Sequence, residues 1–168
     1  MKAASCATTE FVDSFETPGT SDSTRSNLQL PLISLDVGSK RIGVAVSDRL
    51  GLGARGIACL QRRDTGWPKQ LLKLVAEYGC RGFVIGLPKN MDGSEGPQAE
   101  DCRSAAAELA TACELPQVMW DERLTTWTAK ERLREQGLNE KKVAEKVDQT
   151  AAAIILEDFL AAHPELKP

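Results

Sequence analysis

The sequence predicts an α/β domain: a mixed five-stranded sheet, part antiparallel three-strand meander and part parallel strands, flanked by helices. Three observations lead there. Residues 32–48, LISLDVGSKRIGVAVSD, are two apolar β-rich runs joined by the short turn Gly38-Ser39-Lys40-Arg41. A third short run follows them, and from Trp67 onward helical periodicity alternates with short apolar strands. A helix lies between each later strand and its predecessor, which makes those strands parallel to the first.

The first run sets the face assignments. Alternation puts Leu32, Ser34 and Asp36 on one side of the sheet and Ile33, Leu35 and Val37 on the other. Asp36 therefore falls at the strand's end, where a charge reaches solvent or a cation instead of lying buried in mid-core. In the return run Gly43, Ala45 and Ser47 share one face, and this small-residue surface leaves room for something to approach. The third run covers Arg55 to Leu60, after the loop Gly51-Leu52-Gly53.

A helix is predicted at about Trp67 to Tyr78, with Pro68 in its first turn, a stripe of Leu71, Leu72, Val75 and Tyr78, and Gly79 ending it. Arg81 to Gly86 is the next strand, and the turn-rich loop Leu87 to Pro97 leads to an alanine-rich helix at about Gln98 to Cys113. Pro116 to Trp120 forms the last strand, a helix follows at about Thr126 to Gln136, and Gly137 stops it. The charged stretch Asn139 to Lys146 reads as a lead into a final helix at about Val147 to Ala162. The domain is expected to span residues 30–163, after an extension over 1–29 and before a short tail at 164–168.

Composition narrows the chemistry. With 168 residues and 42% hydrophobic content the chain supports one sizeable core, and it has no apolar run of membrane-spanning length. The extension is rich in Ser, Thr, Asp and Glu and reads as flexible. Residues 1–27 hold four acids (Glu10, Asp13, Glu16, Asp22) against two bases (Lys2, Arg25), so they look like neither a secretory signal nor a transit peptide. The five cysteines have no C-x-x-C spacing and their odd number argues against a full disulfide framework, which points to the cytoplasm. His163 is the only histidine, so a His-ligated or structural zinc site is not expected; a catalytic metal would take oxygen ligands, as magnesium and manganese do. Net charge is −3, so any nucleic-acid binding depends on a local basic patch.

Acids at strand ends and helix faces are the candidate site residues. Asp36 closes the first strand, and Asp121-Glu122 follows a parallel strand, where open α/β sheets place their sites. Asp92 and Glu95, in the loop after the preceding strand, compete for that role, although their glycine-flanked setting equally suits a turn. Asp148, Ala152, Ile155 and Phe159 fall at i, i+4, i+7 and i+11, an inward-facing stripe. As an acid in a first helical turn, Asp148 has two readings, one as a site residue and one as a group that satisfies free amides.

Asp36-Val37-Gly38-Ser39, with Gly43, is similar to the first phosphate loop of the sugar-kinase and actin-like ATPases and to the first strand of the ribonuclease-H-like nucleases. The ATPases need a second domain, more chain than is present. The longer wording LDVGSKRIGVAVSD resembles the YqgF/RuvX family of pre-16S rRNA nucleases and Holliday-junction-resolvase-like proteins. GLPKNMDGSEGPQAE (Gly86 to Glu100), DERLTT (Asp121 to Thr126) and KVDQTAAAIIL (Lys146 to Leu156) are similar, in order and spacing, to that family's remaining signature blocks.

The resemblance implies a ribonuclease-H-like fold and an acidic triad at Asp36, Glu122 and Asp148, both catalytic and metal-binding, which takes magnesium or manganese as two ions. Converging carboxylates repel one another, so such a triad is favourable mainly when cations neutralise it. Lys40, Arg41, Lys89 and Arg123 lie near these acids and are the candidates for holding the polyanion, and Lys142 and Lys146 precede Asp148. The implied activity is hydrolysis of phosphodiester bonds in precursor 16S rRNA during ribosome biogenesis, with RNA and the ribosome as partners and no membrane. The alternatives are resolution of four-way DNA junctions and non-catalytic binding to RNA or the ribosome. Trp67, Trp120 and Trp127 are expected to pack and not to stack on bases.

Overall fold

The computed structural model describes residues 28–121 and 140–168, of which 140–149 by backbone alone. The extension over 1–27, the helix expected at Thr126 to Gln136, and Glu122, Arg123 and Trp127 lie outside the described residues, as do the side chains of Lys142, Lys146 and Asp148.

Five strands form one sheet: β1 (Ile33–Val37), β2 (Arg41–Ser47), β3 (Ala54–Gln61), β4 (Phe83–Leu87) and β5 (Gln117–Asp121), in the spatial order β3-β2-β1-β4-β5. Both β2 pairings are antiparallel, whereas β1–β4 and β4–β5 are parallel, so β2 alone runs against the rest. The hairpin turn is held where the Gly38 amide donates to the Arg41 carbonyl at 2.9 Å, and a Cβ on Gly38 would stand only 3.0 Å from that oxygen. The pairing of β2 with β3 shifts between Val44 and Ala45, leaving Ile57 as an extra residue in β3.

Alternation separates two apolar layers as the sequence requires. Ile33, Leu35 and Val37 of β1, with Ile42, Val44 and Val46 of β2, pack under α1 (Trp67–Tyr78) and α2 (Pro97–Ala112). Helix α1 buries Trp67, Leu71 and Val75 and ends on Gly79, whose φ of 65° is left-handed backbone that suits glycine. Helix α2 buries Ala99, Cys102, Ala105 and Leu109; three of these four are small, and Cys102 Sγ comes to 3.7 Å from the Val37 carbonyl oxygen. Trp67 is fully buried with its indole N–H on Glu108, a packing residue as expected.

The opposite face is covered by α3 (Glu140–Ala162), which is followed by a short 3₁₀ turn at Pro164–Leu166. Leu32 and Val84 pack there with Ile155, Leu156, Phe159 and Leu160. The small-residue surface of β2 is occupied by this helix: Ala45 packs on Ala152 and Ala153. The side chain of Leu28 is buried in the same layer, two residues before the sequence boundary of the domain, so the packed chain includes Leu28.

Helix α3 is longer than expected, beginning at Glu140 instead of near Val147. Glu140, Lys141, Lys142, Ala144, Glu145 and Lys146 are strong helix formers, and with Val143 as the one large apolar residue among 140–146 the stretch reads as charged although propensity favours helix. Asp148 is accordingly in the third turn of the helix and not the first. The reading of Asp148 as a first-turn residue that satisfies free amides therefore does not apply.

Candidate functional site

Parallel pairing brings the carboxyl ends of β1, β4 and β5 to one edge of the sheet. Asp36, the penultimate residue of β1, stands there half-buried on the α3 face. It is opposite Gly43 of β2. On the other side the register Leu35↔Ile85 carries it to Gly86 of β4, itself beside Trp120 of β5. Glycine on both sides leaves the carboxylate without flanking side chains on neighbouring strands. Sequence reading saw Gly43 but missed Gly86, because only the sheet register brings Gly86 alongside Asp36.

The register between β1 and α3 follows from one bond and one cluster. Ser34 Oγ donates to the Ala152 carbonyl oxygen at 2.7 Å, while Leu32, two residues earlier in β1, packs with residues 155–160. As β1 advances, α3 retreats. One further step of two strand residues and one helical turn pairs position 36 with position 148, since about 6.6 Å of strand matches about 6 Å of helix.

The described basic candidates lie at the same edge. Lys40 is exposed in the hairpin turn with its carbonyl bonded to the Arg62 amide at 2.9 Å, and half-buried Arg41 starts β2. Lys89 is half-buried in the loop after β4. Glu122 and Arg123 immediately follow Asp121, the last residue of β5, and are themselves outside the described residues.

The two rival acids are committed elsewhere. Asp92 Oδ1 accepts from the Ser94 amide at 2.9 Å and the Ser94 hydroxyl at 2.6 Å, and these bonds hold its carboxyl below the usual range. Glu95 meets Arg103 in a two-pronged pair with both contacts at 2.9 Å, and the guanidinium bonds lower its pKa, aided by the charge of Lys89. Both acids shape the loop: Asn90 and Ser94 also close it on themselves through the Asn90 amide and Nδ2.

Away from this edge, His163 is buried against Phe159 and Trp120, with Nδ1 2.7 Å from Glu165. Trp120 is half-buried against Phe159 and donates its indole N–H to Asp158. None of the four described cysteines is in a disulfide, and burial pushes the Cys80 thiol up to about 11. Among the described residues no three His, Cys, Asp or Glu side chains converge on a metal position, and no helix is long and apolar enough to cross a membrane. Asp36 is the one triad carboxylate whose side chain is described, and as a hard oxygen donor at an open strand end it suits magnesium or manganese.

A sheet ordered 3-2-1-4-5 with only its second strand reversed, closed on one side by a long helix, is the architecture of the ribonuclease-H-like α/β domains. Within that class the chain belongs to the RuvX family, whose model, described as Holliday junction resolvase, matches residues 31–162. Relatives include a protein of Geobacillus kaustophilus, 43% identical over 132 residues, covering 76% of this chain and 95% of the relative. Another, from Moorella thermoacetica, is 45% identical over 130 residues, covering 77% and 93%. Both carry the name "Putative pre-16S rRNA nuclease". A solved Thermus thermophilus RuvC bound to a Holliday junction aligns at 13% identity with a TM-score of 0.49, over 82% of this chain and 98% of that one.

Proposed function

We propose that this protein is a metal-dependent endonuclease that processes the precursor of 16S rRNA, with Asp36, Glu122 and Asp148 as its catalytic and metal-binding carboxylates. The observation that carries the reading is the antiparallel register of β1 and α3 through Ser34 and Ala152, which aligns positions 36 and 148 at the edge where β5 ends. Trp120 and Val118 pack on the α3 side, so Asp121, of the opposite parity at the end of β5, is the weaker candidate of the Asp121-Glu122 pair. The relatives' shared name supports RNA as the substrate.

Three carboxylates of this kind suit two magnesium or manganese ions, which when bound neutralise phosphate charge and make water a stronger nucleophile at neutral pH. The chain's own groups do the positioning. The glycines flanking Asp36 admit a phosphodiester close to the sheet. Lys40 and Arg41 on the hairpin and Lys89 on the following loop hold backbone phosphates on one side, and Arg123 holds them beside Glu122. With few aromatic residues available to stack on bases, recognition rests on the backbone and its shape. Such work belongs in the cytoplasm, on RNA or the assembling ribosome.

A second reading, cleavage of four-way DNA junctions, is favoured by the description of the matching family model. Labelled precursor-rRNA fragments and a DNA junction, each incubated with magnesium, manganese or chelator, separate the two. Metal-dependent RNA cleavage that Asp36→Asn abolishes supports the proposal. Cleavage of the junction alone replaces it with the second reading, and RNA binding without cleavage of either substrate makes the protein a binding module.

A further inference from the structure

The β2–β3 hairpin carries more positive charge than the edge around Asp36 uses. Residues 40–63 contain Lys40, Arg41, Arg49, Arg55, Arg62 and Arg63 against one acid, Asp48, in a chain whose net charge is −3. Arg62 is spent on Glu108 and on the face of Trp67. Arg49 and Arg55 differ in that both are exposed and neither has a carboxylate partner among the described residues.

These two arginines line a cavity of about 480 Å³ at the far end of β2, together with Pro31, Ser47, Asp48 and Tyr78. The Arg55 guanidinium lies 5.3 Å from the centre of the Tyr78 ring, which fixes its head at the cavity wall. Asp48, the acid best placed to neutralise the pair, turns its oxygens onto its own loop. It accepts from the amides of Leu50 (2.7 Å), Leu52 (3.2 Å) and Gly53 (2.7 Å). The cavity therefore holds two guanidinium groups against one carboxylate whose oxygens are taken up by loop amides, which leaves positive charge in excess.

Its position relates it to the Asp36 edge. The length of β2 separates Arg41 from Ser47 at this cavity by about 20 Å. The outer edge of β3 runs the same distance at the border of the sheet, from Arg55 to Arg63, and residues 54–63 include no acid. Charge on an edge strand also discourages sheet-to-sheet pairing, but that role needs no cavity and no aromatic support for an arginine.

We infer that the cavity between Arg49 and Arg55 is a second phosphate-binding site for the RNA substrate, reached by a polynucleotide that leaves the Asp36 edge past Lys40 and Arg63 and follows β3. This rests on the RNA reading above. The anion is a backbone phosphate, held by two guanidinium groups as arginine commonly holds phosphates.

The test is binding of a fluorescently labelled single-stranded precursor-rRNA fragment to the full chain, without divalent metal, across a salt series. Arg49→Ala with Arg55→Ala is expected to weaken binding about ten-fold at low salt and to reduce the slope of log affinity against log salt by about 0.7, one single-strand phosphate's worth. Arg49→Lys with Arg55→Lys should restore most of the slope. Thermal melting of each variant confirms the fold, and exposed arginines should leave it unchanged. An unaltered slope and affinity in the alanine variant overturns the inference while leaving the RNA reading intact. No RNA binding by the unaltered protein overturns both. A third arm uses Glu10→Gln, Asp13→Asn and Glu16→Gln together. If this raises RNA affinity only when Arg49 and Arg55 are present, RNA occupies the cavity in competition with the acidic segment, which supports the inference.

Discussion

The Ser34 hydroxyl donates to the carbonyl oxygen of Ala152 across 2.7 Å, and both residues are fully buried. The bond fixes α3 against β1 at one point, and Ala45 against Ala152 and Ala153 lets the helix lie close to the sheet there. The small residues of β2 that left a space in the sequence are thus the bed of this helix. Asp36 lies two strand residues beyond that point, so the geometry around it depends on the bond.

Ser34→Ala should cost about 1 kcal/mol, the net worth of one hydrogen bond, since the Ala152 carbonyl keeps its place in the helical ladder. In a domain of this size that lowers the melting temperature by about 2–4 °C. Ser34→Val should cost more, about 1–3 kcal/mol, because added methyl groups meet Ala45 and Ala152 and push the helix outward. It should also depress cleavage, which Ser34→Ala spares. Equal melting temperatures and equal rates for the two variants would show that α3 is not seated by this contact.

Gly82 supplies a second close contact. A Cβ there would fall 2.6 Å from Leu28 Cδ2, 3.1 Å from Leu32 Cδ2 and 3.3 Å from the Pro116 carbonyl oxygen. Gly82→Ala should therefore destabilise by about 1–3 kcal/mol in urea denaturation. Leu28→Ala costs about 2–5 kcal/mol as a cavity but opens the space that the methyl needs, so the double variant should lose less than the sum. Strict additivity would mean that Leu28 does not pack on Gly82.

The order of the elements, their faces and the burial of Ile33, Leu35, Val37 and Leu71 were legible in the sequence, because period and turn chemistry agree there. Two features were not. The first two turns of α3 are dominated by charged residues, with Val143 their one large apolar side chain, so only helix propensity marks them. Gly86 gains its meaning from a partner in another strand, a relationship that no local window contains. Asp92 and Glu95 were rivals to Asp121-Glu122 in the sequence until the resemblance favoured Glu122, since an acid in a glycine-rich loop looks the same whether it holds a turn or a ligand; the structure adds their bonds to Ser94 and Arg103.

Stability should fall in acid partly through Glu108. Its bond to Arg62, and a lesser one from the Trp67 indole, hold its pKa below the ordinary 4.5. A carboxylate with a lowered folded pKa contributes fully above its unfolded value and loses that contribution as pH falls through the folded one. The melting temperature should therefore decline as the pH drops below about 4.5. Glu108→Gln keeps an oxygen for Trp67 but cannot titrate, so its decline should be shallower. The difference is small because Glu108 is 46% exposed, and it should shrink in high salt. Parallel pH profiles for the two proteins would count against this role for Glu108.

Acids at the site and acids in the adjoining loop should separate in a cleavage assay. Asp36→Asn preserves size while removing the charge that a cation needs, and should lower the rate by about 10²–10⁴-fold. Asp92→Asn keeps an oxygen for the Ser94 amide and should cleave at close to the unaltered rate. Glu95→Gln loses the charge opposite Arg103 and should loosen the loop, at a cost of about 1 kcal/mol or less for a partly exposed pair. If Asp92→Asn or Glu95→Gln were as inactive as Asp36→Asn, the loop acids would belong to the metal site. The alignment of β1 with α3 would then no longer be the observation that identifies it.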